Sequence, residues 1–186
     1  MFDFLQLFKE IPQEDIQVMS EQLRFKEVGA DRELLHEGNI AKEMFFICKG
    51  ILKIVSINEK GNPVTQFFLK ENQFCTILNS FINNVPALES IVTACDCQLI
   101  ILAKEKLQTL YNRLPYLKEL IDSITHQTLI EKIATRNAYM GEDATTRYLK
   151  FIQRQPDIAL RVPLSDVASY LGITQQSLSR IRRNIR

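Results

Sequence analysis

The stretch from Leu164 to Arg183, LSDVASYLGITQQSLSRIRR, constrains this chain more tightly than any other. Ala168 is small where two helices would cross closely, and Gly172 can adopt the positive φ that ends one helix and turns sharply into the next. Pro163 discourages any upstream continuation, and the hydroxyls of Ser165 and Thr174 suit them to cap the first and second helices. At helical spacing, Leu178, Ile181 and Ile185 then face inward, toward Val167 and Leu171, while Gln175, Gln176, Ser179, Arg180 and Arg183 share the opposite face. This pattern predicts a helix-turn-helix. Its outer face carries no acid: Gln pairs bidentately with adenine and Arg with guanine in the major groove, each good pair contributing about 1–3 kcal/mol of discrimination. Arg182 and Arg186 are better placed for phosphates. A solvated surface helix that happens to carry arginines is the alternative, and the small and apolar residues at fixed offsets argue against it.

Charge is informative only when divided along the chain. From Gly141 onward there are eight basic residues (Arg147, Lys150, Arg154, Arg161, Arg180, Arg182, Arg183, Arg186) against four acidic ones (Glu142, Asp143, Asp157, Asp166). The rest of the chain holds fifteen basic and eighteen acidic residues. A basic terminal module on a mildly acidic body suits a phosphate backbone, although a difference of this size also arises on solvated helix faces. At 186 residues, 46% hydrophobic and 24% charged, the chain has ordinary globular composition. No apolar run approaches the roughly 20 residues that span a bilayer, and the opening MFDFLQLFKE is interrupted by charge too early for a secretion signal. The expected location is therefore the cytoplasm, where Cys48, Cys75, Cys95 and Cys97 read as reduced thiols.

From about Leu34 to Leu102 the chain has all-β grammar: LLH, MFFIC, ILKIVSI, VTQFFL and SIVTACDCQLIIL, separated by turn signals such as EGN, KG and NEKGNP. A short helix around Pro12 to Arg24, with Ile16, Met19 and Leu23 at helical spacing, would lie on this unit. A long helix is predicted from about Tyr116 to Met140, entered by Pro115. Leu117, Ile121, Ile124 and Thr128 line one of its sides, and Leu120, Leu129, Ile130 and Ile133 a second. An apolar helix with two sides needs two partners, so the helix is expected to pack on the β unit and on a second copy of the chain.

These blocks together resemble the Crp/Fnr family of bacterial transcription regulators over nearly the whole chain. LLHEGN, MFFICKGILKIV and TACDCQLIIL resemble its cyclic-nucleotide-binding jelly roll, the Tyr116–Met140 helix its dimerising connector, and TTRYLKFIQRQPD with VPLSDVASYLGITQQSLSRIRR its DNA-binding end. The closing block is similar in particular to short members from Bacteroidetes. The fold implied is α+β: an N-terminal double-stranded β-helix, or jelly roll, over residues 1–114, a dimerisation helix over 115–140, and a C-terminal helix-turn-helix over 141–186, winged-helix-like with a truncated wing. The resemblance places Gln175, Gln176 and Arg180 at base-reading positions and Ser165, Thr174 and Ser177 near phosphates; Ser179 and Arg183 complete the expected contact set. The implied partners are a near-palindromic DNA operator, a second copy of the chain, RNA polymerase, and an unidentified small-molecule effector.

One departure from the family stands out. Members that bind cyclic AMP hold its ribose and phosphate with a Gly-Glu pair and an Arg-Ser pair. The stretch FCTILNSFINNVPALES puts Thr76 and Ile77 at the first and Val85 and Pro86 near the second, leaving no cation for the phosphate. Burying a phosphate without a paired cation costs several kcal/mol, so a response to cyclic AMP is not expected. Thr76, Ile77, Leu78, Val85 and Pro86 instead sketch an apolar pocket, either open to an apolar ligand or filled by its own side chains.

No cofactor, metal site or catalytic group is expected. Cys95 and Cys97, two apart on a predicted strand, would share a core face with Leu99 and Ile101 and be inert. A metal or cluster held by these thiols and Cys75, or redox catalysis by the pair, is the distant alternative. His36 and His126 lie in different elements and suggest neither zinc nor a catalytic pair. The main competitor to a DNA-binding regulator is a small-molecule receptor whose C-terminal helices contact a protein partner.

Overall fold

Two four-stranded antiparallel sheets form the body of the chain in a computed structural model that describes residues 1–185. The first sheet has the order β1 (Arg24–Val28), β8 (Cys97–Ala103), β3 (Glu43–Lys49), β6 (Phe74–Cys75). The second has the order β2 (Glu33–Leu35), β7 (Ser90–Thr93), β4 (Leu52–Ile57), β5 (Pro63–Leu69). Strands distant in sequence are neighbours in both sheets, a jelly-roll-like arrangement. Strand β1 was not anticipated, because the alternating residues of RFKEV are mostly exposed at the sheet edge and supply no apolar signal.

The helices fall before, within and after the sheets: α1 (Phe2–Gln6), α2 (Gln13–Ser20), α3 (Leu78–Asn83), α4 (Lys104–Arg113), α5 (Pro115–Asn137), α6 (Ala144–Arg154), α7 (Pro156–Arg161), α8 (Leu164–Tyr170) and α9 (Gln175–Asn184). The long helix thus ends three residues short of its expected limit at Met140, in a turn closed by the positive φ of Gly141. Asp143 opens α6, its Oδ1 accepting from the N–H groups of Thr145 at 2.8 Å and Thr146 at 3.1 Å.

Strand β3 explains why MFFIC reads as an unbroken apolar run: both its faces are covered. Phe45 and Ile47 point between the sheets, with Leu52, Leu69, Cys75, Ile91, Leu99 and Ile101. Met44 and Phe46 point the other way, into a second cluster with Leu5, Ile11 and Met19 of the N-terminal segment, Leu107 and Leu110 of α4, and Leu117, Leu120, Ile121 and Ile124 of α5. Leu120 therefore lies on the buried side of α5. Only Leu129, Ile130 and Ile133, in the second half of the helix, keep apolar surface open, at 39%, 60% and 47% exposure.

A third cluster joins the two ends of the chain. Ile51, Phe68 and Ala94 of the β body pack with Tyr139, Tyr148, Phe151, Ile158, Val167, Ala168, Leu171 and Leu178. Polar contacts ring it. Lys53 Nζ lies 2.8 Å from Asp166 Oδ2, Lys70 Nζ 2.9 Å from Asp157 Oδ2, and the Thr65 N–H donates to Ser169 Oγ at 2.9 Å. The Arg161 guanidinium meets both carboxylate oxygens of Glu71, Nη1 to Oε2 at 3.0 Å. Glu71 Oε1 also accepts from the Gly50 N–H at 2.7 Å.

Along β4 and β5, neighbouring residues serve different masters. Ile54 and Phe67 face the space between the sheet and α5, whereas Lys53 and Phe68, paired in register, face the C-terminal helices.

Two predictions follow from this joint. Gly50 holds φ +106°, and a Cβ there would lie 2.5 Å from Cys97 Sγ and 2.6 Å from the Asp96 carbonyl oxygen. Gly50→Ala is expected to destabilise the fold by on the order of 3 kcal/mol, measured as a fall in denaturant midpoint. Burial pushes the Glu71 carboxyl up, but the Arg161 hydrogen bonds and the Gly50 N–H outweigh it and hold the pKa at about 2 against an ordinary 4.5. A depressed carboxylate stabilises the fold above its unfolded pKa and loses that contribution as pH falls toward the folded value. The wild type should therefore exceed Glu71→Gln in thermal midpoint at neutral pH, with the gap closing between pH 4.5 and about 2. A gap independent of pH would show that the Glu71–Arg161 contact carries no electrostatic stabilisation.

Candidate nucleic-acid interface and ligand cavity

The turn between α8 and α9 is built as its residues require. The Gly172 N–H donates to the Ser169 carbonyl at 3.1 Å and the Ile173 N–H to the Ala168 carbonyl at 3.0 Å, with Gly172 at φ +66°. This is a Schellman closure, which needs a left-handed residue where Gly172 stands. Ala168 is 2% exposed beneath the second helix. Arg147 of α6, read at first only as part of the basic balance, donates from Nη1 to the Leu171 carbonyl at 2.6 Å and so satisfies the end of α8.

Thr174 caps α9, its Oγ1 accepting from the Ser177 N–H at 3.1 Å. Ser165 does not cap α8: the N-cap position is Pro163, and Ser165 lies exposed inside the first turn, because α8 begins two residues earlier than the hydroxyl needs. Leu178 is fully buried and Ile181 half-buried against the Val167–Leu171 side. Ile185 does not join them; it is 40% exposed beyond the last turn of α9. Arg186 lies outside the described residues.

The outer face of α9 carries Gln175, Gln176, Ser179, Arg180 and Arg183, all exposed, with Arg182 beside them and Ser177 half-buried. The basic surplus of the C-terminal segment is concentrated here because other members of it are engaged internally: Lys150 pairs with Glu142, Arg161 with Glu71, and Arg147 with a backbone carbonyl. None of the ion pairs among the described residues uses Arg180, Arg182 or Arg183.

A cavity of about 310 Å³ opens between the β body and α5, lined among others by Ile54, Phe67, Leu69, Phe74, Thr76, Ile77 and Leu78, and on the helix by Thr125, Thr128, Leu129 and Lys132. A larger hollow of about 680 Å³ runs beside Leu34–Glu43, but its walls come mainly from one loop and it has no contact with α5. Thr76, Ile77 and Leu78 line the smaller cavity. Val85 and Pro86 do not line it: Val85 is 37% exposed, and Pro86 forms a bridge to Ile40. Helix α3 consumes more chain than a bare loop would, which shifts the wall to Glu89. Glu89 puts a carboxylate in that wall, and burial and the neighbouring Glu37 raise its pKa.

Sequence reasoning found no cation for this cavity, and that expectation is corrected by Lys132. It stands two helical turns from Thr125 on the cavity face of α5. Burial, with Lys70 nearby, lowers its pKa to about 8. Its spacing from Thr125 and Thr128 was the available signal, masked by reading α5 for apolar residues alone. The residues that line the cavity include one lysine and one glutamate but no arginine.

The thiols divide by position. Cys97 faces the inter-sheet core with Leu99 and Ile101, but Cys95 precedes β8 and packs half-buried against the C-terminal helices, so the two do not share a strand face. Burial pushes Cys75 and Cys97 to about 12, with Cys95 adding to the rise at Cys97. His36 pairs with Glu33 at 3.0 Å, while His126 is exposed on α5. No group of three or more His, Cys, Asp or Glu side chains is arranged to hold a metal among the described residues, and no helix there is long and apolar enough to cross a membrane.

Comparison with known proteins agrees with this architecture. Residues 25–113 match the cyclic nucleotide-binding domain family. No curated protein matches the chain. Among solved structures, the chain is similar to the c-di-GMP-responsive global regulator CLP of Xanthomonas campestris, with 14% identity, TM-score 0.73, and coverage of 94% of this chain and 91% of that one. It is similar also to FixK2 of Bradyrhizobium japonicum (14% identity, TM-score 0.74, 88% and 84% covered). A structure from Eubacterium rectale described as a transcriptional regulator of the Crp/Fnr family shares 15% identity at TM-score 0.74, over 98% and 87% of the two chains. At these identities the likeness is one of fold: a cyclic nucleotide-binding domain within a whole-chain architecture shared with regulators of the Crp/Fnr type.

Proposed function

We propose that this chain is a sequence-specific DNA-binding transcriptional regulator of the Crp/Fnr type that acts as a cytoplasmic homodimer, by binding and not by catalysis, and does not respond to cyclic AMP. The observation that carries this reading is the outer face of α9, where Gln175, Gln176, Ser179, Arg180 and Arg183 stand exposed with no acid among them. On this reading α8 and α9 form the helix-turn-helix, α9 enters the major groove, and Ser165, Thr174 and Ser177 approach phosphates. Residues 1–114 serve as sensor, 115–140 as dimerisation helix and 141–186 as reader.

Dimerisation is supported by the apolar surface of Leu129, Ile130 and Ile133, which the chain's own fold leaves open on α5. A second copy pairing there would present two reading helices roughly 34 Å apart, one turn of a near-palindromic site. The cavity beside α5 is the effector site on this reading, and the Glu89 carboxylate in its wall supports indifference to cyclic AMP.

Selection from a random duplex pool should recover a two-fold symmetric motif, with affinity falling steeply as salt rises because phosphate contacts release counterions. Arg180→Ala should cost about tenfold or more in preference for the selected site while leaving the thermal midpoint unchanged. Unchanged affinity would remove Arg180 as a base reader. Failure to enrich any motif at low salt would favour a receptor whose C-terminal helices contact protein. Ile130→Lys with Ile133→Lys should give monomers in sedimentation velocity and abolish the symmetric footprint; an intact dimer would move the interface off α5.

A further inference from the structure

The cavity between the β body and α5 carries an ammonium and a carboxylate in its walls, Lys132 and Glu89, that do not form an ion pair with each other. Lys132 lines it, yet none of the ion pairs or side-chain hydrogen bonds among the described residues uses its ammonium group. Lys132 is half-buried, and burial outweighs the favourable charge of neighbouring Glu131 in lowering its pKa. An anion entering the cavity would give Lys132 the direct ion pair it lacks.

The remaining lining narrows the class of anion. Thr125 and Thr128 already donate their hydroxyl protons to the carbonyls of Ile121 at 2.7 Å and Ile124 at 2.9 Å, and Thr76 donates to the Glu43 carbonyl at 3.0 Å. Toward a ligand these three hydroxyls offer lone pairs, which repel additional anionic oxygens. Glu89 adds a carboxylate to the wall, so a phosphodiester with ribose hydroxyls and spread negative charge is poorly matched. Apart from Asn79, whose amide oxygen accepts from Asn83, the rest is aliphatic and aromatic: Met44, Ile54, Phe67, Leu69, Phe74, Ile77, Leu78 and Leu129. A cavity of about 310 Å³ stands at the small end of the range for ligand sites.

We infer that the cavity binds a small monocarboxylate with an apolar body, its carboxylate paired with Lys132 and its hydrocarbon or aromatic part against Phe67, Phe74 and Ile77. This rests on the reading of the cavity as the effector site but not on DNA binding. Because Lys132 lies three residues from Leu129 on α5, the anion would bind where the β body meets the helix proposed to join two copies.

The test is calorimetric titration of the full chain with octanoate and phenylbutyrate, each against its matched alcohol, and with cyclic AMP, alongside the duplex selection. At least one acid is expected to bind about tenfold or more tighter than its alcohol. Lys132→Met should remove that preference without weakening the alcohol, and Lys132→Arg should retain it. Lys132→Gln gives a second neutral variant should the methionine variant prove unstable. Acids and alcohols binding alike, neither acid binding, an acid preference that survives loss of the Lys132 charge, or saturable binding of cyclic AMP would each overturn the inference. A symmetric DNA motif recovered without acid binding sinks the ligand class alone. Acid binding through Lys132 without any motif upholds the ligand class and sinks the DNA reading.

Discussion

The apolar contact between Phe68 and the C-terminal helices is the interaction on which the rest of the arrangement depends. The ring of Phe68 meets Tyr170 with centroids 5.1 Å apart, and Tyr170 in turn meets Phe151 at 5.7 Å and Tyr139 at 6.0 Å. An aromatic cluster of this kind excludes water and prefers tilted or edge-on geometry, so it fixes orientation as well as proximity. The ion pairs at its edge, Lys53 with Asp166 and Lys70 with Asp157, are spaced along the same contact and restrict rotation about it. Helix α8 is thus seated on a sheet, and α9, packed on α8 through Leu178, takes its orientation from the same place.

The parts of the molecule legible in the sequence are those where local sterics decide. Ala168 and Gly172 announce a tight helix pair, the first because it is buried beneath the second helix and the second because its φ of +66° disfavours any side chain, and Thr174 announces the start of α9 because its hydroxyl answers an orphan N–H nearby in the chain. The strands of the inner sheets were legible for the same reason: MFFIC and CQLIIL are apolar runs bounded by polar turns. What the sequence concealed depends on partners far along the chain. Helix α4 carries only Leu107 and Leu110 as buried anchors in a charged segment, and β1 is identified as a strand only by its register against β8. The placing of Val85 and Pro86 in the pocket assumed a loop where α3 forms. Ser165 reads as a cap only if the helix is allowed to start after it.

Lys132 is the clearest instance of information that is three-dimensional only. On a helix read for apolar stripes, a lysine between Glu131 and Ile133 belongs to the solvated side. It comes to face the β body because Leu117, Ile121 and Ile124, at earlier turns, pin that side of α5 against the sheet, and a straight helix then carries the same face onward past the end of the apolar contact. The charge balance of the C-terminal segment has a similar history. Its surplus in sequence is an average over residues with unlike fates, and once Arg147, Lys150 and Arg161 are matched with internal partners, three of the others, Arg180, Arg182 and Arg183, stand together on α9.

The two-sided hairpin of β4 and β5 imposes a counting rule on the chain. Ile54 and Phe67 look toward one neighbour while Lys53 and Phe68 look toward another, and the pleat assigns sides by parity alone. Inserting or deleting a single residue ahead of Lys53 would turn a lysine into the cavity and an isoleucine onto Asp166, exchanging the inside of one contact for the inside of the other. Length changes in this hairpin are therefore tolerable only in pairs, or at its tip around Asn58–Asn62, where the chain is exposed and closed by its own turn. Drift in length at that tip, with invariance along the strands, is the pattern that homologous chains sharing this joint would carry.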